Sequence, residues 1–206
     1  RDITDITIIV GPHKEKFNFT DIKYVEDKEH ENHDVLQSLM EAKNSIQGEV
    51  IIIYSDILFD EKILDQIICS NPDIGIVVDL DWEKNYVGRT EHPKSEADNV
   101  LIQDKKIIRI KKNLPTIQKN QQMGEFVGIM KFSENGSEVF VSEFDKIKNN
   151  HSGSFQEAPS FEKAYLTDII QELIDRNFLV EPIIVEGNWC EVDTFQDLQN
   201  AKKLFV

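Results

Sequence analysis

The apolar positions of this chain fall into short continuous runs that alternate with helix-spaced ones. Residues 6–10, Ile-Thr-Ile-Ile-Val, are β-branched and apolar but for one threonine, the pattern of a strand covered on both faces. Gly11-Pro12 breaks the run, and residues 22–25 predict a second, shorter strand. Val35, Leu36, Leu39, Met40 and Ala42 recur at helical spacing behind Asp34, a candidate N-cap, and Gly48 ends that helix. Residues 50–54 give the strongest buried-strand signal and run into Ser55-Asp56. The rhythm repeats with Ile63, Leu64, Ile67 and Ile68 in a helix, Asn71-Pro72 in a turn, and a buried strand over 74–78 ending at Asp79.

Residues 83–123 are polar, with two amphipathic stretches at 99–103 and 106–111 that predict a hairpin in a lobe beside the main sheet. A strand at 126–132 and a helix at 133–148 follow, then a polar loop over 149–160. Tyr165, Leu166, Ile169, Ile170, Leu173 and Ile174 line one side of a helix expected over 161–176. A strand at 182–185, a turn at 186–188 and a helix at 194–204 close the chain, with Thr194 and Asp197 resembling a capping box. Alternation of strand and helix predicts an α/β fold, a mostly parallel central sheet with helices on both faces, in one domain over 1–206.

Composition narrows the partners. With 206 residues, 40% hydrophobic and 9% aromatic, the chain is long and apolar enough for a core. Its 23 Lys plus Arg against 38 Asp plus Glu give a net charge of −15, which disfavours nucleic-acid backbones and anionic membranes. A small phosphorylated ligand stays compatible, because a metal and a few cations reverse the sign inside one cleft. No apolar run approaches the ~20 residues of a membrane span. Cys69 and Cys190 lack metal-type spacing and read as reduced thiols, and the expected location is the cytoplasm.

Ligands of open α/β sheets bind beyond the carboxyl ends of the strands. Asp56 follows the 50–54 strand, Asp79 and Asp81 follow the 74–78 strand, and Asp193 precedes the last helix. Two carboxylates about 4 Å apart repel by roughly 4 kcal/mol at an effective dielectric of 20, so a shared site calls for a proton or a cation. Each of these aspartates taken alone also fits a helix cap or a turn.

Two segments carry a family resemblance. Tyr54-Ser55-Asp56-Ile57-Leu58-Phe59 resembles the Tyr-Gly-Asp-Ile-hydrophobic-Phe segment of nucleotidyltransferases that activate sugar phosphates, phosphocholine and phosphonates. Trp189-Cys190-Glu191-Val192-Asp193-Thr194, followed by Asp197-Leu198 and Ala201, is similar to the same superfamily's Trp-x-Glu/Asp-hydrophobic-Asp-Thr segment. Between them, residues 77–82, Tyr86-Val87-Gly88-Arg89, His92-Pro93, Ser95-Glu96-Ala97, 124–128 and 161–168 resemble the phosphonate cytidylyltransferase domains associated with phosphoenolpyruvate mutase.

The resemblance spans nearly the whole chain and implies a three-layer, Rossmann-like nucleotidyltransferase fold, with 83–123 as an inserted acceptor-side lobe. It implies transfer of a nucleotidyl group, CMP from CTP, to a phosphonate or phosphate oxygen with release of pyrophosphate. Asp56 and Asp193 are implied as Mg²⁺ ligands, and Ser38 and Tyr54 as residues near the nucleotide. Arg89 is implied as a planar fork on the acceptor, assisted by Lys131 or Lys163, or else as a surface ion pair with Glu91 or Glu96. Asp79, Asp81, Trp82, Glu125 and Tyr165 are implied around the acceptor, Trp82 with a face for a cationic or apolar tail, although packing also accounts for Glu125 and Tyr165. Ser38 also reads as an ordinary helix residue, and His92 as a loop residue. A homodimer or a fusion to another catalytic domain is compatible with the family.

The sequence departs from the pattern at its start, where the family has a strand, a Gly-rich loop and a basic residue that cradle the triphosphate. The natural protein is therefore expected to be longer by about one strand–helix unit, roughly 30 residues, and these residues alone are expected to be poor catalysts. Ser55 stands where the family has Gly, a small change. Alternative readings are a sugar 1-phosphate nucleotidyltransferase, a metal-dependent glycosyltransferase using Asp79-Leu80-Asp81, and a degenerate nucleotide-binding domain without catalysis.

Overall fold

A computed structural model describes residues 3–114 and 117–205 of the chain. It resolves into two compact units: residues 1–47 with 138–172, and residues 48–137 with 173–206.

In the first unit, β1 (Thr7–Val10) and β2 (Lys23–Glu26) form a parallel pair in the register Thr7↔Lys23. The helix predicted behind Asp34 is α1 (Val35–Glu41), followed by a 3-10 turn over Lys43–Ser45. The start of α1 is tied to residues 162–164 by Asp34 N donating to Glu162 O at 3.0 Å and Leu36 N donating to Ala164 O at 3.2 Å. Phe144, Phe155 and Phe161 pack ring against ring in the interior. The division between units falls within α3 (Glu134–Asn150) and α4 (Leu166–Asp175). The expected helix over 161–176 begins only at Leu166, because Asp168 Oδ2 accepts from Tyr165 N at 2.8 Å and caps the first turn there. Phe161–Lys163 forms a separate 3-10 turn.

The second unit is built on a six-stranded sheet. Its strands are β3 (Val50–Ile53), β5 (Ile74–Asp79), β6 (Asp98–Gln103), β7 (Lys106–Lys112), β8 (Gln121–Phe132) and β9 (Glu181–Ile184). The order is β7-β6-β8-β5-β9, with β3 also paired to β8. The expected mostly parallel sheet needs a correction. Only β5·β9 is a parallel neighbour pair, because β8 runs antiparallel to β3, β5 and β6 and lies between strands that share a direction. Runs of apolar residues report burial on both faces and are silent about direction. The hairpin at 98–112 forms as expected, and pairing of β6 with β8 makes it the edge of the main sheet.

One face of this sheet is covered by α2 (Glu61–Cys69), whose Ile63 and Ile67 pack on Val77, Val127, Ile129, Ile183 and Val185. These side chains belong to alternate positions of β5, β8 and the end of β9, as the period of two requires. Burying one such side chain is worth about 1.5–3 kcal/mol. Two further strands, β4 (Ile57–Phe59) and β10 (Trp189–Glu191), carry no strand signal in the sequence, and each is three residues long. They form an antiparallel ladder of their own with Glu191 opposite Ile57. The final helix, α5 (Phe195–Phe205), opens with the expected capping box: Asp197 Oδ2 accepts from Thr194 N at 3.0 Å, and Thr194 Oγ1 accepts from Asp197 N at 3.2 Å. No helix among the described residues is long and apolar enough to cross a membrane.

Candidate active site

The β4·β10 ladder joins the two segments that carry the resemblance. It continues beyond its pairs through Val192 N donating to Asp56 O at 3.0 Å, and at the other end through Asp60 and Asn188. Asp60 also caps α2 through Ile63 N at 3.1 Å and accepts from Asn188 N at 2.9 Å. The turn at 54–56 and the segment after β10 are thereby held side by side, which brings Asp56 and Asp193 within each other's field. Gly128, at φ 77°, supports the turn from below. A Cβ there would meet Tyr54 Cδ2 at 3.0 Å, and its carbonyl accepts from Tyr54 N at 3.0 Å.

Three carboxylates gather at this point, and their electrostatics are unsettled. Burial pushes the Asp56 carboxyl up, with a further push from the Asp193 charge, and Asp56 Oδ1 is buried without a hydrogen-bond partner. Burial and then the Asp193 charge raise Glu191 to about 7, against the opposing pull of Arg89. His92 Nδ1 lies 2.6 Å from Asp193 Oδ2, and His92 Nε2 lies 3.7 Å from Glu191 Oε2. His92, Glu191 and Asp193 offer ligand atoms all within 4.8 Å of one another. A buried oxygen with no partner and carboxyls held above their usual range are the marks of a site short of positive charge, and this oxygen-rich donor set fits a hard divalent cation.

Arg89 supplies part of the missing charge. Its side chain is 8% exposed, Nε donates to Asp197 Oδ1 at 2.5 Å, and the terminal nitrogen lies 3.5 Å from Glu191 Oε2 and 3.9 Å from Asp193 Oδ2. The guanidinium lies over the Tyr86 ring, 5.4 Å from its centroid. Arg89 is thus no surface pair with Glu91 or Glu96, and its fork is turned onto carboxylates of the chain itself. Its loop is pinned to α5, where Gln196 Oε1 accepts from Thr90 N at 2.8 Å and from Glu91 N at 3.1 Å.

Other expected site residues have different employment. Lys131 is 2% exposed and donates to the carbonyls of Ile67, Ile68 and Ser70 at 3.1, 2.9 and 2.6 Å, closing the C-terminus of α2, with Glu49 at 2.8 Å. It therefore has no hydrogen left for an acceptor. Asp79 is buried, accepting from Asp81 N at 2.7 Å and from the Trp189 indole at 2.8 Å, so it ties β5 to β10. Asp81 points outward with 84% of its side chain exposed, and the Asp79-Leu80-Asp81 sequence does not present two free carboxylates to a metal. Trp82 is buried, with Lys94 Nζ 4.8 Å from its ring centroid, so a chain cation already occupies that face.

Ser38, Lys163 and Tyr165 belong to the first unit. Ser38 Oγ donates to Asp27 Oδ2 at 2.6 Å. Lys163 is half-buried in its 3-10 turn, and Tyr165 is 54% exposed.

Glu125 is 4% exposed and lines a cleft of the second unit with Tyr54, Tyr86, Phe126, Trp189 and Glu191. Tyr86 donates its hydroxyl to Glu125 Oε1, while Oε2 is buried without a partner. Burial raises the Glu125 carboxyl to about 8, the Tyr86 contact and Arg89 pulling the other way and Glu191 and Asp79 adding to the rise. Sequence reasoning passed over Glu191, Tyr86, Asp197 and His92 as site residues. Glu191 had a signal, since it stands two residues from Asp193 and shares its side of an extended segment. His92 stands in the His92-Pro93 stretch that shares the resemblance, but its place beside Asp193 is the product of a loop folded back onto α5.

No protein-family model matches the chain. Over 151 residues, 73% of the chain, it is 24% identical to the CTP:phosphoglutamine cytidylyltransferase of Campylobacter jejuni, and it spans 58% of that protein's length. Among solved structures, the CTP:phosphocholine cytidylyltransferase of Streptococcus pneumoniae superimposes with a TM-score of 0.68 at 18% identity, covering 100% of this chain and 80% of that one. The inositol-1-phosphate CTP transferase of T. maritima gives 0.62 at 18% identity, covering 89% and 65%. The chain has the mixed α/β fold of the nucleotidyltransferase superfamily.

Proposed function

We propose that this chain serves as a magnesium-dependent cytidylyltransferase, which moves CMP from CTP to a phosphate or phosphonate oxygen and releases pyrophosphate. The observation that carries this reading is the β4·β10 ladder, which sets Asp56 beside Asp193 where the donor set is short of positive charge. Likeness to a cytidylyltransferase in sequence, and to CTP-using transferases in fold, supports the choice of CTP.

Asp56 and Asp193 would hold Mg²⁺, with Glu191 beside them. When bound, the ion supplies charge neutralisation at the phosphate under attack. Arg89, anchored by Asp197, keeps the carboxylates apart and adds a fixed positive charge that needs no reorganisation during reaction. His92 fixes the rotamer of Asp193 through its 2.6 Å contact. No buried side chain of the site stands out as a nucleophile, in keeping with direct displacement at phosphorus by the acceptor oxygen, in which positioning does most of the work.

The test is pyrophosphate release from CTP with a panel of phosphate and phosphonate acceptors, with Mg²⁺ and with chelator. Slow, Mg²⁺-dependent release is expected, falling on the order of 10³-fold in Asp56→Asn and in Asp193→Asn. Release that ignores both substitutions, or none with any nucleoside triphosphate, would overturn the proposal.

A further inference from the structure

The segment that carries Arg89 and His92 has no hydrophobic hold on the protein. No apolar side chain of residues 83–96 is buried: Val87 is 84% exposed and Pro93 is exposed, whereas Trp82 and Ala97 on either side are buried. The far end is tied by Lys112 to Glu96 at 2.8 Å and by Asn113 Nδ2, which donates to Ser95 O at 3.2 Å. Before that tie, the inward-facing side chains are those of Arg89 and His92 themselves, 8% and 16% exposed. A loop without buried apolar contacts takes its pose from its hydrogen bonds and opens readily when they are lost.

From 88 to 91 those bonds come mainly from one side chain. Gln196 lies in the first turn of α5, three positions after Asp193. Its Oε1 accepts from Thr90 N at 2.8 Å and Glu91 N at 3.1 Å, and its Nε2 donates to Gly88 O at 3.2 Å and Thr90 Oγ1 at 3.3 Å. The amide thus uses its full capacity, and the backbone groups it grips lie on both sides of Arg89. Two N–H donors must meet the oxygen, so one orientation of the amide satisfies them. Asp197, the next residue, holds the guanidinium through Nε.

We propose that Gln196 is the positioning residue for Arg89 and His92. It fixes the backbone of 88–91 against the helix that begins beside Asp193, so that both side chains reach the carboxylates of Glu191 and Asp193. The role served by those side chains rests on the nucleotidyl-transfer reading; the grip itself does not. Asp197 alone does not suffice, because it holds the end of a long, rotamer-rich side chain and leaves the backbone, and His92 with it, free to drift.

The experiment follows exchange of the Thr90 and Glu91 amide hydrogens, and the Arg89 Nε–H signal, by NMR in wild type, Gln196→Ala and Gln196→Glu. In Gln196→Ala both amides should exchange at least about tenfold faster while those of β5 and β8 keep their rates, and the Arg89 signal should be lost to exchange with water. Gln196→Glu keeps oxygens for both amides and should restore protection to within about threefold of wild type. Unchanged Thr90 and Glu91 exchange in Gln196→Ala, an Arg89 signal that persists there, or exchange in Gln196→Glu as fast as in Gln196→Ala would each overturn the assignment. In pyrophosphate release, Gln196→Ala should lower kcat at least about tenfold and move KM for CTP by less than about twofold. Release equal to that of wild type removes the positioning role and keeps the enzyme. No release by wild type removes the enzyme, and the NMR comparison then decides the role of Gln196 by itself.

Discussion

Asp27 in the first unit and Asp193 in the second each contact a histidine, and the surroundings of the two contacts differ in one respect. Asp27 is 3% exposed and accepts from His33 Nε2 at 2.9 Å, Ser38 Oγ at 2.6 Å and Glu29 N at 3.1 Å. Burial pushes its carboxyl up, and the hydrogen bonds from His33 and Ser38 more than cancel that push, leaving it below the usual range. Around Asp193 the ratio is inverted, because Glu191 and Asp193 share Arg89 and His92, Asp56 keeps a buried oxygen without a partner, and Asp56 and Glu191 are driven up. One carboxylate with three donors is a structural joint. Three carboxylates with too few donors are the arrangement on which the proposed Mg²⁺ site rests.

The largest expected effect that separates these regions is a difference of sign in pH dependence. The folded values of Glu125 and Glu191, about 8 and about 7, lie above their ordinary 4.5, so the folded state binds the extra protons. Their contribution to stability is full below about pH 4.5 and is lost as pH rises through 7 to 8. Glu125→Gln should therefore melt like wild type near pH 4 and gain on the order of 5 kcal/mol at about pH 8.5. Asp27 is depressed below its ordinary 3.8, so the cost of Asp27→Asn is present above that pH and fades as pH falls below it. Melting curves across pH for both variants check the opposed slopes.

Next in size is the effect on folding stability at a single pH. Asp27→Asn should destabilise the chain by about 3 kcal/mol in urea unfolding, since it breaks a buried charged network and leaves His33 short of its partner. Asp56→Asn should leave apo stability unchanged or raise it, by removing one of three mutually repelling charges. A comparable loss in both variants would erase the distinction. The smallest effect is Ser38→Ala, expected to cost about 1 kcal/mol through one lost hydrogen bond to Asp27; a larger loss of CTP binding than of stability would point to nucleotide contact by Ser38.

Much of this arrangement was legible in residue order. Strands at 50–53 and 74–79, the hairpin at 98–112, α2 and the capping box of α5 follow from apolar period and from local donors and acceptors, which act over a few residues. Asp56 and Asp193 were nameable from the segments that contain them. Lys131 shows where residue type misleads: a lysine on a sheet strand suggests a ligand for phosphate, and the fold spends its three protons on the carbonyls that end α2. Arg89 is a similar case, with its chosen partner Asp197 more than 100 positions along the chain.

The sequence by itself determined which segments become strands and helices, and which carboxylates stand at their ends, because backbone propensity and apolar spacing are local. Only the tertiary structure decided the antiparallel insertion of β8, the three-residue ladder that joins Asp56 to the segment of Asp193, and the burial that leaves Glu125 half unsatisfied. Those depend on pairing between distant residues. A strand's direction, a short ladder's partner and a carboxyl's desolvation are fixed by what comes to lie beside them, and that is settled only when the whole sheet has closed around its core.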